Sequence, residues 1–222
     1  MAFKPPPAIL QRVMRFKSIQ HKNGKLLLWN IPAILIPAYS FIFLQRLMEN
    51  DVGRRKASSV LYALGKFQSI QTFKMVSERF GYAKTINDKR KLLEFNTGQS
   101  EVAGLGTGKW IRIDLKNKVF ILRGRSTIAE EYRRFFGLQK LPVDYFIRGC
   151  LAAYAEAVSE AENLFCIETS CISMGKKHCE FVIKEKTSFD KNEVASQDID
   201  TLPSDIRMLG SKIEPYLALA NI

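Results

Sequence analysis

Apolar and polar side chains alternate along Trp110 to Leu115 and again along Lys118 to Arg123. That period of two predicts a half-buried antiparallel strand pair turning at Lys116 to Lys118. A second pairing is expected at Phe16 to Gln20 with Lys25 to Trp29, because Asn23 and Gly24 form a two-residue hairpin signal. The spacing shifts to helical elsewhere. Val60, Leu61, Leu64, Phe67, Ile70, Phe73 and Val76 recur through a long helix predicted from Arg54 to Phe80. A shorter helix is expected from Ala38 to Glu49, and another from Thr85 to Phe95 capped by Thr85 or Asn87. Ser126 is placed to cap a helix running to Phe136, where Gly137 stops it. Val143 to Ser159 reads as a helix of small residues, able to approach a sheet or a twin subunit closely. A terminal hairpin spans Asn163 to Lys184. Hairpins interspersed with helices predict an α+β domain with an antiparallel sheet.

Leu26 to Leu44 carries no charge over nineteen positions, just long enough to span a bilayer as a helix. Pro32 and Pro37 interrupt it, and each removes a backbone donor. A buried strand ending at Pro37, followed by the helix from Ala38, accounts for these residues better. With 222 residues and 46% apolar content, the chain can bury a full core as one domain with tails. The divisions expected are a basic arm over 1–16, a ligand-binding domain over 17–186, and a linker with a C-terminal helix over 187–222. That last helix is expected at Leu202 to Ala220.

The net charge is +12, and the first 48 residues contain no Asp or Glu. Such an arm attracts phosphate on nucleic acid or anionic lipid, or simply forms a solvated face. No recognition helix or ATPase loop accompanies it, and GLGTG at Gly104 to Gly108 lacks the ending of a phosphate loop. The four cysteines and the lack of a signal-like first stretch favour a cytoplasmic location, where Cys clusters serve metal or redox chemistry more than structural disulfides.

The densest chemistry lies in NLFCIETSCISMGKKHCEFVIK, Asn163 to Lys184, where Glu168, Cys171 and Cys179 form an E-x-x-C-x7-C array. A hairpin brings both sulfurs together, and thiolate with carboxylate makes a Zn²⁺ donor set. The alternative is a metal-free thiol pair that closes under oxidation. Catalytic signatures are sparse: the two histidines are His21 and His178, and no nucleophile elbow or paired-carboxylate motif is present. Zinc held by four protein donors would be structural, since a catalytic zinc keeps one position for water.

This final run, with Glu168, Cys171, Gly175, Cys179 and Phe181 after the small-residue helix, resembles the close of the 4-vinyl-reductase-type small-molecule-binding domain, also the sensor part of phenol- and xylene-responsive regulators. GLGTGKWIRIDL and KVFILRGRS extend the likeness upstream. The resemblance implies helices packed on one side of an antiparallel sheet, in the broad fold of NO-signalling and Golgi-transport ligand-binding domains. In the phenol-responsive members a third Cys completes the zinc set at the start of the helix before the hairpin. No Cys stands there in this chain, which leaves Asp144, Cys166, His178 and Cys150 as candidates for the fourth ligand.

The resemblance implies a cytosolic sensor or regulatory module holding a small hydrophobic or aromatic molecule between helices and sheet, with structural zinc on the hairpin. Phe43, Tyr62, Trp110, Tyr145 and Phe146 are candidate lining residues. A homodimer is expected, and the small-residue helix Gly149 to Ala157 suits an assembly subunit. Two further readings follow from the resemblance: a scaffold subunit of vesicle-tethering type, and a protein of tetrapyrrole vinyl reduction. The latter lacks a dinucleotide fingerprint.

Overall fold

The computed structural model describes residues 19–28, 31–80 and 85–197. The basic arm over 1–16 and the expected helix at Leu202 to Ala220 lie outside them. The chain opens with a small sheet of β1 (Ile19–Lys22), β2 (Lys25–Leu28) and β3 (Ile31–Ala33) in that order. Asn23 and Gly24 close the first hairpin with φ of 51° and 73°. Both values are positive, as the turn that matches strand twist requires.

Three helices follow: α1 (Ala38–Val52), α2 (Arg54–Phe80) and α3 (Ile86–Val102). Pro37, Gly53 and Thr85 mark their boundaries. The Thr85 hydroxyl accepts the Asp88 amide, and the Asp88 carboxylate returns to the Thr85 amide. This reciprocal cap starts the helix where sequence placed it, but α3 continues past the expected Phe95 to Val102.

The remainder builds the main sheet and its covering helices: β4 (Gly106–Asp114), β5 (Val119–Ser126), α4 (Thr127–Phe136), α5 (Tyr145–Ser159), β6 (Leu164–Ser170) and β7 (Cys179–Glu185). A short helix, α6 (Lys191–Ala195), comes after β7. The strands are antiparallel in the order β4-β5-β7-β6. The architecture is thus an α+β fold, an open antiparallel sheet with helices alongside, ending near a Cys-bearing hairpin.

Helix α5 forms the centre, buried on nearly every side. Its small residues let α2 approach until backbones touch. A Cβ added at Gly149 would stand 1.9 Å from the Tyr62 carbonyl oxygen, and one at Gly65 would stand 2.1 Å from that of Phe146. The small-residue segment Gly149 to Ala157 is therefore spent inside the chain, against α2 and the sheet, the sheet being one of the two close approaches expected of it. Close approach also selects which face of α2 is buried. Leu61, Tyr62, Gly65, Ser69 and Phe73 point inward, whereas Leu64 and Ile70 from the expected apolar stripe are exposed.

The expected buried strand ending at Pro37 also differs from what is found. Only Ile31–Ala33 pairs, and Ile34, Leu35, Ile36 and Pro37 are exposed. Pro37 does precede a helix, as predicted. Among the described residues, no helix is long and apolar enough to cross a membrane.

Candidate metal centre and ligand cavity

Four backbone segments meet at the carboxyl-terminal end of β6. Asp144 occupies the position just before α5, Glu168 sits near the end of β6, Cys171 opens the 3-10 turn Ile172–Met174, and Cys179 begins β7. A register shift between Glu168 and Ser170 turns the strand toward that loop. Gly175, with φ of 84°, then reverses the chain. One ligand atom from each of the four side chains lies within 4.8 Å of all the others. All four residues are buried, so the E-x-x-C-x7-C spacing and the Asp144 position predicted from sequence converge in space.

Hydrogen bonds hold the cluster. The Ser126 hydroxyl donates to Asp144 Oδ1 at 2.5 Å, and the Cys179 thiol donates to Asp144 Oδ2 at 3.4 Å. The Asp144 amide donates to Glu168 Oε2 at 3.4 Å. Cys171 Sγ lies 2.9 Å from the Ser173 hydroxyl, and Cys179 Sγ accepts the Ile172 amide at 3.4 Å. Glu168 Oε1 is buried with no hydrogen-bond partner.

So many acidic groups in one dry volume cannot all ionise without a cation. Burial, reinforced by Cys171, pushes the Asp144 carboxyl up to about 7. Burial and the neighbouring Asp144 carry Glu168 well above its ordinary value. Contact between the two sulfurs draws Cys171 below the usual thiol range and raises Cys179. Protons do here what a cation would do better.

Two thiols, two carboxylates and an orphaned buried carboxylate oxygen therefore fit a soft divalent cation such as Zn²⁺. The four groups form a complete tetrahedral donor count, which suits a structural ion. Cys166, Cys150 and His178 stand outside the group. Cys166 is buried on β6, where its amide donates to the Tyr62 hydroxyl at 3.3 Å. Burial raises both the Cys166 and Cys150 thiols to about 12.

A half-open cavity of about 50 Å³ lies beside this cluster, lined by residues of α3, α5 and the sheet. Its wall includes Thr97, Ser100, Gly106, Leu122, Ser126 and Phe181. Ser126 thus faces both compartments: it lines the cavity, bonds Asp144, and caps α4 by accepting the Ala129 amide. Phe181 likewise lines the cavity and sits opposite Glu168 in the β6–β7 ladder.

The five aromatic residues expected to line a pocket are outside the wall of this cavity. Tyr62 stacks near Phe165, Phe146 meets Phe41 edge-on, and Phe43 packs on Phe135 and Phe136. The Tyr145 hydroxyl donates to Glu49. Trp110 Nε1–H donates to Thr97 Oγ1 at 2.8 Å, so it braces a wall residue from behind.

Three site-supporting residues escaped the sequence reading. Ser126 was legible only as a helix cap. Arg148, the single charge within Tyr145 to Ala155, is almost wholly buried, donating to the carbonyls of Cys166 at 2.9 Å and Gln197 at 2.7 Å. Its isolation in an apolar run was the available signal. Gln197 holds both backbone groups of Glu168: its Oε1 accepts the amide and its Nε2 donates to the carbonyl.

No family model matches the chain, and no curated protein does. Solved structures share the fold. The phenol-responsive sensory domain of the transcription activator PoxR, in complex with phenol, is 17% identical, with a TM-score of 0.69 over 86% of this chain and 96% of that one. A vinyl-4-reductase family protein from Methanocaldococcus jannaschii is 20% identical, covering 83% and 98% of the two chains with a TM-score of 0.41. A trafficking protein particle complex subunit 3 from Naegleria fowleri, bound to palmitic acid, is 9% identical, covering 67% and 95% with a TM-score of 0.42. The PoxR likeness places this chain in the phenol-sensor type of fold.

Proposed function

We propose that this chain is a sensor or regulatory module that binds a small hydrophobic or aromatic molecule between α3, α5 and the sheet, and holds structural zinc through Asp144, Glu168, Cys171 and Cys179. The observation that carries the reading is the convergence of those four buried groups beside a cavity that shares Ser126 with them. The fold shared with a phenol-binding sensory domain supports the ligand class.

The cavity's size sets a condition on binding. At about 50 Å³, it is smaller than the ~150 Å³ apolar cavity known to accept benzene. A ring therefore enters only as wall side chains move. Leu122 is the buried wall residue that fills the space over Gly108, which has no side chain of its own, so a change in the Leu122 rotamer would reshape the cavity. Movement at that wall reaches Ser126 two hydrogen bonds from the sulfur pair, through Asp144 and Cys179. Zinc, when bound, ties the hairpin to the start of α5 and stiffens that route.

Native mass spectrometry of the chain purified without chelator tests both parts. The expected result is about one Zn²⁺ per chain and added mass from retained small molecule. Metal-free protein whose Cys171 and Cys179 are joined as a disulfide would replace the zinc assignment with the thiol-pair reading.

A further inference from the structure

The connection from α4 to α5 carries Asp144 but forms neither helix nor strand over residues 137–144. Its buried backbone groups must therefore find partners outside any regular ladder. Several come from α1, a helix that contributes no donor to the cluster. Gln45 Nε2 donates to the Val143 carbonyl at 2.9 Å, reaching across 98 residues of sequence. One turn further along α1, Glu49 Oε1 accepts the Tyr145 hydroxyl at 2.9 Å. Gln45 and Glu49 thus hold the residues on either side of Asp144. At the start of α2, Arg54 donates to the Pro142 carbonyl, and its guanidinium lies 5.4 Å from the centre of the Tyr145 ring.

The same stretch faces the cluster on its other side. The Val143 amide bonds the Cys171 sulfur, and the Asp144 amide donates to Glu168 Oε2. Val143 therefore turns its N–H to a candidate donor sulfur and its carbonyl to α1. The α1 groups are shut away from water, with Gln45 1% and Glu49 9% exposed. Burial raises Tyr132 and Tyr145 and so keeps both as neutral phenols, each able to donate to Glu49.

We propose that Gln45 and Glu49 are positioning residues for the metal centre, which hold Asp144 against Glu168 and the two sulfurs through Val143 and Tyr145, and thereby link α1 to metal occupancy. This rests on the zinc assignment made above and extends it to an element outside the donor set. Ser126 orients the Asp144 carboxyl, whereas Gln45 and Glu49 set where its backbone stands. The Asp144 side chain is short, so a displaced backbone carries the carboxyl away from sulfurs fixed on a separate hairpin. Coupling of this kind is reciprocal: if α1 places Asp144, bound zinc must in turn hold α1.

The test measures zinc affinity by competition with a chromophoric chelator, on the full chain and on three variants. Gln45→Met keeps the length of the side chain and removes the donor. Tyr145→Phe removes the hydroxyl that joins Glu49 to α5. Tyr132→Phe removes the other hydroxyl on Glu49, from α4, and leaves the flanks of Asp144 intact. The first two should each raise the zinc dissociation constant about 10–100-fold, the range for partners one shell outside a metal, while Tyr132→Phe stays close to wild type. The visible absorption of the cobalt(II)-loaded chain reports coordination geometry. It should change in Gln45→Met and Tyr145→Phe and persist in Tyr132→Phe. Hydrogen exchange on wild type needs no substitution: exchange over 38–52 should slow on zinc loading. Affinities and spectra that are unchanged in the first two variants, or altered equally in all three, overturn the positioning role and leave the zinc assignment standing. Exchange over 38–52 that ignores zinc overturns the link to α1. A wild type that binds no zinc overturns the zinc assignment itself, and this inference with it.

Discussion

Asp144 is the residue on which the electrostatics of the centre turn. Its carboxyl is buried beside two sulfurs and a second carboxyl, and its proton-binding midpoint rises from 3.8 to about 7 on folding. Between those values the folded, metal-free chain holds a proton that the unfolded chain has released, so its stability falls as pH rises. The thermal midpoint of chelator-treated protein should therefore drop from pH 4 to pH 7. Zinc-loaded protein should not share that drop, because the cation balances the carboxylate, and Asp144→Asn should flatten the slope in metal-free protein. Cys171→Ser and Cys179→Ser should each reduce zinc from about one per chain to a small fraction, since a thiolate donor is lost. Metal analysis after gel filtration reads this directly. Cys150 and Cys166 behave differently: burial keeps them as thiols. Neither should be alkylated in folded protein at pH 8, and both should label on unfolding.

At the scale of elements, the α2–α5 crossing sets where the site can form. Gly149 and Gly65 bring the helix backbones into contact, and this seats Asp144 at the base of α5 opposite Glu168. Gly149→Ala forces a methyl against the Tyr62 carbonyl. A loss of about 2–3 kcal/mol is expected in chemical denaturation despite alanine's better helix propensity. Leu122 addresses the cavity. Leu122→Ala should cost about 2–4 kcal/mol of stability yet strengthen binding of a small aromatic probe such as phenol, read by calorimetry, because the wall that has to move has been removed. Tighter binding without Leu122 would locate the ligand, and unchanged binding would place it elsewhere. The expected positions of β5, α4 and the final hairpin agree with the structure because each is bounded by local chemistry: a capping Ser126, a left-handed Gly137, alternating strand residues.

For the molecule as a whole, the segment after β7 matters more than its polar composition indicated. Phe189 packs against Phe165, and Gln197 grips the backbone of Glu168 along the free edge of β6. Arg148 ties that same segment to the centre of the fold, its guanidinium over the paired rings of Tyr62 and Phe165. Gln197→Ala removes two hydrogen bonds from a metal-bearing strand. It should cost about 1–2 kcal/mol of stability and weaken zinc retention in a chelator competition, with less effect than loss of a ligand. Whatever follows residue 197 in the chain thereby begins at a point mechanically joined to the candidate centre.

Periodicity, caps and turn residues act within a few positions of one another, so the sequence alone determined the helices, the hairpins and the grouping of Glu168 with Cys171 and Cys179. A hairpin makes those three neighbours whatever the rest of the chain does. Tertiary structure decided the matters that depend on distant segments. It joined Asp144 to the group across 24 residues, and made Ser126 common to cavity and cluster. It also consumed the small-residue helix within the chain while leaving Ile34, Leu35 and Ile36 exposed. Those outcomes follow from which surfaces reach each other in three dimensions, a property of packing that no local spacing encodes.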